Sequence, residues 1–284
     1  MAEPAWKPPT GWTPDPEDSQ ESMEESVLQR WVEGPDGRMV LLEFPLTPEL
    51  FLDPQLEDKM IQGDWHDVTC RDIMTALVSH FRSQPEVLVV HDMKHFLLPR
   101  LPAPSPDVSV IRGIRHRRKR SSFVVAEEGV FPTLIIEVVS PGSLRVRQTD
   151  LEDKVALYRL AGIPEYLIVD AVRGPDDWSY RLQGYRKQDE GWYHSIELDA
   201  EGRFLSETAG LWFQVAPDGQ RVLIYEYPSG RRLLNALEQE ERAERAEAEA
   251  MQAKRKALCE AEARRAAEER LAQLRAEIER LRRG

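Results

Sequence analysis

Only two cysteines, Cys70 and Cys259, occur in 284 residues, in segments of very different character. That excludes a disulfide framework or a zinc-binding cysteine spacing, and it suits a reducing cytoplasm. No apolar stretch approaches the roughly 20 residues that span a membrane. The first twenty residues (MAEPAWKPPTGWTPDPEDSQ) have neither the basic nor the apolar region of a secretory signal, so none is expected. Positive charge is also short: 38 Lys and Arg face 50 Asp and Glu, a net charge of −12. A chain this acidic is not a general coat for nucleic acid. Any contact with DNA runs through a local basic patch or through metal ions at a carboxylate site. The expectation is a soluble cytoplasmic protein with no membrane association.

What is present divides into three parts. Residues 1–25 are rich in Pro, Glu, Asp and Ser and read as a disordered acidic arm. Residues 26–234 carry the strand and helix patterns of a globular domain. Val27-Leu28 and Met39 to Leu42 flank the turn signal Gly34-Pro35-Asp36-Gly37, which predicts a hairpin. Residues 45–63 read as irregular. Val68, Ile73, Leu77, Val78 and Phe81 recur at mostly helical spacing, with Asp64 a candidate N-cap. Strands are expected at Val87–Val90, His95–Leu98, Asp107–Ile111 and Leu134–Val139. A helix follows from Ser143 to about Ala161, ended by Gly162 and Pro164, and then a strand to Asp170. Beyond it, four strand patterns around Tyr180, Trp192, Leu211 and Val222 read as an antiparallel meander. Residues 235–284 are Ala, Glu, Arg, Gln and Leu without an internal Pro or Gly. Ala267, Leu271, Leu274, Ile278 and Leu281 step by four and three, the seam of a coiled coil, with a thinner alanine seam before them.

The candidates for chemistry are Asp107, Glu137 and Lys154, each beside or within a buried element. Two acids at the ends of neighbouring strands can converge on a hard divalent cation such as Mg²⁺. An ammonium nearby can orient water or offset negative charge developing on phosphorus. From spacing alone, the same acids also serve as helix caps or lysine partners, and Lys154 also reads as an ion pair with Asp150.

From Pro106 the chain reads PDVSVIRG, then EEG, then PTLIIEVVSP, with Asp150, Lys154 and Tyr158 at four-residue steps and GIPEY before Val169-Asp170. This resembles the Uma-two type of restriction endonuclease family within the PD-(D/E)XK nuclease superfamily, over residues 60 to 235 and most densely over 106 to 170. The resemblance implies an α/β (α+β) restriction-endonuclease-like αβββαβ core with a mixed sheet, to which the meander and the long helix are appended. It implies that Asp107, Glu137 and the backbone carbonyl of Val138 hold Mg²⁺ or Mn²⁺ and that Lys154 assists the attacking water. The superfamily lysine lies two residues after the Glu, where this chain has Val139; the family resembled has moved it to the following helix, at Lys154. Asp150 and Tyr158 share that helix face and are expected to support the site or pack beside it. His66 opens the first helix where related sequences often place a polar site residue, although by itself it reads as a cap or surface side chain. Asp170 reads as closing a turn.

The basic run Arg112 to Arg120 directly follows the Asp107 strand. Arg115, Arg117, Arg118, Lys119 and Arg120 are therefore candidates for DNA phosphate contacts, or else form a solvated loop. The function expected is metal-dependent hydrolysis of DNA phosphodiester bonds by a homodimer paired through the C-terminal helix. The alternative is a catalytically silent nuclease fold acting as a DNA-binding or coiled-coil scaffold.

Overall fold

A computed structural model describes residues 27–33, 38–45, 47–54, 58–60, 64–139, 147–173, 178–188 and 191–283. The acidic arm, the Gly34–Gly37 turn and the start of the helix expected from Ser143 lie outside the described residues. In chain order the elements are β1 (Val27–Glu33), β2 (Met39–Pro45), α1 (Pro48–Leu52), β3 (Asp58–Met60), α2 (Asp64–His80), β4 (Val87–His91), β5 (His95–Phe96), β6 (Val108–Arg112), β7 (Phe123–Val124), α3 (Val125–Glu128) and β8 (Pro132–Val139). A π-helical turn (Thr149–Asp153) then leads into α4 (Lys154–Ala161), β9 (Glu165–Arg173), β10 (Trp178–Lys187) and β11 (Tyr193–Ile196). After β12 (Arg203–Ser206), β13 (Leu211–Val215), β14 (Val222–Glu226) and β15 (Arg232–Leu233) comes α5 (Ala236–Arg283). Contacts divide the chain into two units, residues 1–233 and 234–284.

The first unit is built on a six-stranded mixed sheet of order β11-β10-β9-β8-β6-β4. Its centre is β8, where Leu134, Ile135 and Ile136 are fully buried because both faces are covered. Leu134, Ile136 and Val138 face the core shared with α2, while Ile135 and Val139 face the core of α4 and Tyr166. Neighbours β6 and β4 run antiparallel, and β9 runs parallel to β8, as a crossover through α4 requires. The order α2-β4-β6-β8-α4-β9 is the αβββαβ core with a mixed sheet, and the long C-terminal helix is present.

Several details differ from the periodicity reading. The buried stripe of α2 is Cys70, Ile73, Leu77 and then Phe81, whereas Val68 and Val78 face outward, 48% and 46% exposed. Residues 45–63 are not uniformly irregular: Thr47 caps α1 through its hydroxyl, which accepts from the Leu50 amide. The second strand pattern, His95-Phe96, leaves the main sheet and pairs in parallel with β7. The expected single meander is split: β10 and β11 extend the main sheet, and β12–β15 form a separate antiparallel four-stranded sheet.

That small sheet is fastened by Glu165, fully buried at the start of β9. Its carboxylate accepts from Arg186 Nε (2.9 Å), Ser206 Oγ (2.5 Å), Thr208 Oγ1 (2.6 Å) and the amides of Glu207 and Thr208. Gly184 completes the contact, since a Cβ there would fall 2.1 Å from the Phe204 ring. The second unit is α5 alone, 48 residues long. It opens on a capping box in which Asn235 and Glu238 each accept the other's backbone N–H. Among the described residues, no helix is long and apolar enough to cross a membrane.

Candidate active site

The alternation of β8 sends Glu137 to the α4 face between Ile135 and Val139, two buried hydrophobic positions. A carboxylate there is desolvated, and it is only 2% exposed. The pairing of β6 with β8 sets Val108 opposite Ile136, so Asp107, one step before β6, arrives beside Glu137. Its Oδ2 accepts from the Val138 amide at 2.7 Å, and its own amide points to Glu137 Oε2 at 3.4 Å. Among the acids of the cluster, Asp107 is the most open, its side chain 13% exposed against 2% for Glu137 and 5% for Asp150.

The helix side supplies the cation. Lys154 Nζ lies 3.1 Å from Glu137 Oε1 and 2.7 Å from Asp150 Oδ1. The lysine therefore meets both the strand acid and the acid one turn earlier. Tyr158, fully buried, donates its hydroxyl to Glu137 Oε1 at 2.7 Å. The π-helical turn between Thr149 and Asp153 sits beside this face. Such turns recur at functional sites. It is held by Tyr166, whose hydroxyl donates to the Asp150 carbonyl at 3.1 Å.

His66 is not a surface or capping side chain. It is 4% exposed, and Nε2 lies 3.2 Å from Asp107 Oδ2. The signal was available: the buried stripe Ile73 and Cys70 continued backwards by one more turn lands on His66. Beneath it lies Cys70, with Sγ 3.7 Å from His66 Nδ1. His66, Cys70 and Asp107 each place a possible ligand atom within 4.8 Å of the others. Burial first, and then Asp107 and Glu137, push the Cys70 thiol far up. Asp92, in a left-handed conformation (φ 47°) with its amide directed at the Pro106 carbonyl (3.1 Å), is a further acid near Asp107 that strand patterns did not reveal. Burial and then Asp107 raise its carboxyl.

The electrostatics follow from three carboxylates sharing two cations. Burial followed by the charges of Asp107 and Asp150 drives Glu137 up to about 8, although Lys154 and Tyr158 oppose it. Burial tends to raise Asp107 too, but the His66 imidazolium and hydrogen bond, Lys154 and the Val138 amide hold it below the usual range. Against its own burial, His66 is raised by Asp107. Lys154, against its burial, is raised by Asp150, Glu137 and Asp107. Burial raises Asp150 as well, against the pull of Lys154, so the cluster carries more acid than its two basic side chains offset.

The remaining sequence candidates lie elsewhere. Asp170 does not close a turn; it is buried in β9, with Arg147 and Arg181 each 2.7 Å from a different oxygen. The basic run leaves the far end of β6, five residues from Asp107, which is about 16 Å along a strand. Within it, Arg118 and Arg120 pair with Glu128 (2.9 and 2.8 Å) and Arg117 donates to the Gln84 and Pro85 carbonyls. Arg115 and Lys119 are exposed.

Comparison with known proteins gives two findings. Residues 46–249 match the Uma2 family profile, described as "Putative restriction endonuclease". Among solved structures, the chain is similar to one described as "a putative nuclease belonging to DUF820" from Anabaena variabilis ATCC 29413. The two share 16% identity with a TM-score of 0.38, over 53% of this chain and 79% of that one. No curated protein matches.

Proposed function

Given that the chain belongs to the Uma2 family, we propose that it is a metal-dependent endonuclease that hydrolyses DNA phosphodiester bonds at the Asp107–Glu137–Lys154 cluster. The observation that carries this reading is the convergence of Asp107, Glu137 and Asp150 around Lys154, whose Nζ lies 3.1 Å from Glu137 and 2.7 Å from Asp150. A buried carboxylate held near 8 beside two further acids marks a site with more negative charge than its own cations neutralise. The donors fit a hard divalent ion, Mg²⁺ or Mn²⁺: the Asp107 and Glu137 carboxylates are oxygen ligands. In a strand the amide and carbonyl of one residue point to the same edge. The Val138 amide reaches Asp107, so the Val138 carbonyl faces that edge too and is assigned as the third oxygen.

When bound, the ion polarises a phosphoryl oxygen and lowers the pKa of a water. The protein's own groups do the rest. Lys154 is held protonated, so it acts as a hydrogen-bond donor that orients water and offsets charge developing on phosphorus; it is not a base. Tyr158 and Asp150 fix the positions of Glu137 and Lys154. His66 fixes Asp107 at the site's more open edge. Exposed Arg115 and Lys119 are the members of the basic run best placed to meet DNA phosphates, with Arg117, Arg118 and Arg120 shaping that loop. Helix α5 is read as the homodimer contact.

The test is cleavage of supercoiled and linear DNA with Mg²⁺ or Mn²⁺, alongside calorimetric binding of Mn²⁺. Asp107→Ala and Glu137→Ala are expected to abolish both. A wild-type protein that cuts no DNA with either ion, and variants that bind Mn²⁺ as the parent does, would refute the proposal.

A further inference from the structure

The seam of α5 is asymmetric. Its C-terminal half carries Leu271, Leu274, Ile278 and Leu281, which are 44–77% exposed on the isolated helix. Its N-terminal half carries alanines at the same heptad positions, and between the halves the seam reads Glu260 and Arg264. On the helix itself these two charges turn away from each other, Glu260 towards Lys256 (3.9 Å) and Arg264 towards Glu268 (3.0 Å). Resting on the reading of α5 as the dimer contact, we infer that two copies pair antiparallel, in the one register that sets Glu260 of each chain against Arg264 of the other.

The seam positions decide the orientation. A parallel pair stacks Glu260 on its own copy and Arg264 on its own copy in adjacent buried layers, which like charges oppose. It also stacks leucine on leucine at one end and alanine on alanine at the other, so the helix axes would have to lie at different distances along the rod. The antiparallel register replaces both like-charge layers with reciprocal Glu260–Arg264 layers. It also sets Leu271, Leu274, Ile278 and Leu281 against Ala253, Ala250, Ala246 and Ala243, a large residue on a small one throughout. Sliding by one heptad breaks this, facing Glu260 with Ala257 in one direction and with Leu271 in the other. On the flanks, Glu240–Arg282, Glu247–Arg275 and Lys254–Glu268 meet with opposite charge. Two like-charge meetings, Glu249–Glu277 and Lys256–Arg270, lie on the other flank, where solvent screens them.

The consequence is architectural. The N-terminal ends of the two helices, at Ala236, lie about 78 Å apart along the rod at 1.5 Å per residue.

Disulfide trapping in the full chain tests the orientation, with Cys259 removed as Cys259→Ser and Cys70 left buried. Ala261→Cys faces its own copy in the antiparallel register, and Ile278→Cys faces its own copy only in a parallel pair. Copper-phenanthroline oxidation, read on non-reducing gels, is expected to convert most of the Ala261→Cys protein to covalent dimer and little of the Ile278→Cys protein. The reverse pattern, or equal yields, overturns the inference. Light scattering on the unoxidised samples separates the underlying reading: a monomer refutes the dimer itself. Neither readout depends on nuclease activity.

Discussion

Replacing Lys154 with methionine keeps the volume and removes the ammonium, and its cost can be worked from the cluster. Lys154 is 3% exposed and is held against Asp150 at 2.7 Å and Glu137 at 3.1 Å. Burial already pushes the Glu137 carboxyl up, to about 8, so the charge left without a partner is chiefly that of Asp150, whose oxygen is the closer of the two. A buried carboxylate in that position escapes by taking up a proton. Measured from an ordinary aspartate pKa of about 3.9, this costs about 4 kcal/mol at pH 7 and about 1.5 kcal/mol at pH 5. The folded variant then holds a proton that its unfolded chain has released above about pH 4, so its stability falls with rising pH more steeply than the parent's. Urea unfolding at both pH values, in EDTA, measures the difference. Adding Asp150→Asn is expected to recover most of the loss, because it removes the stranded charge. A loss below about 1 kcal/mol at pH 7, or an equal loss at both pH values, would refute the assignment of Lys154 and Asp150 as a buried ion pair.

Tyr158→Phe removes the 2.7 Å hydrogen bond to Glu137 and is expected to destabilise the protein by about 0.5–1.5 kcal/mol in chemical unfolding. It is also expected to move the pH dependence of Mn²⁺ binding upward, since the hydroxyl favours the ionised carboxylate. In the wild type the metal competes with the Glu137 proton. Mn²⁺ affinity measured calorimetrically should therefore rise by up to about tenfold per pH unit until about pH 8 and then level off; a profile flat from pH 6 to 8 contradicts this. If exposed Arg115 and Lys119 contact DNA phosphates, each alanine variant reduces the slope of log affinity against log salt by about 1 while leaving stability unchanged. Arg120→Ala instead lowers stability, because Arg120 is the 4%-exposed partner of Glu128.

The meeting of Asp107 with Glu137 was legible because strand-end acids stand out against β-branched runs. Asp107 and Glu137 needed only their order along the chain, and the αβββαβ succession followed from helix and strand periods. What periods cannot show is which surface an element meets. Val68 and Val78 counted as apolar matches yet face outward, and including them obscured the stripe that puts His66 on Asp107. Asp170 looked like a turn acid because Arg147 and Arg181, which justify its burial, come from two other segments. Four strand patterns after Asp170 read as one meander because nothing local distinguishes a strand that extends a sheet from one that begins another. The basic run was adjacent to Asp107 in sequence, but a strand between them carries it to the opposite edge.

Glu165 has an implication for what counts as the smallest working unit. Its fully buried carboxylate sits inside the core yet is satisfied mostly by residues 206–208, some 41 positions later. Until those residues arrive, closing the sheet around Glu165 would strand a charge away from water, so the core and the small sheet must complete themselves together. A chain cut after β11 would carry every catalytic candidate and still lack a stable interior. The nuclease fold here is not a removable module with an ornament attached; its final strands are part of its foundation.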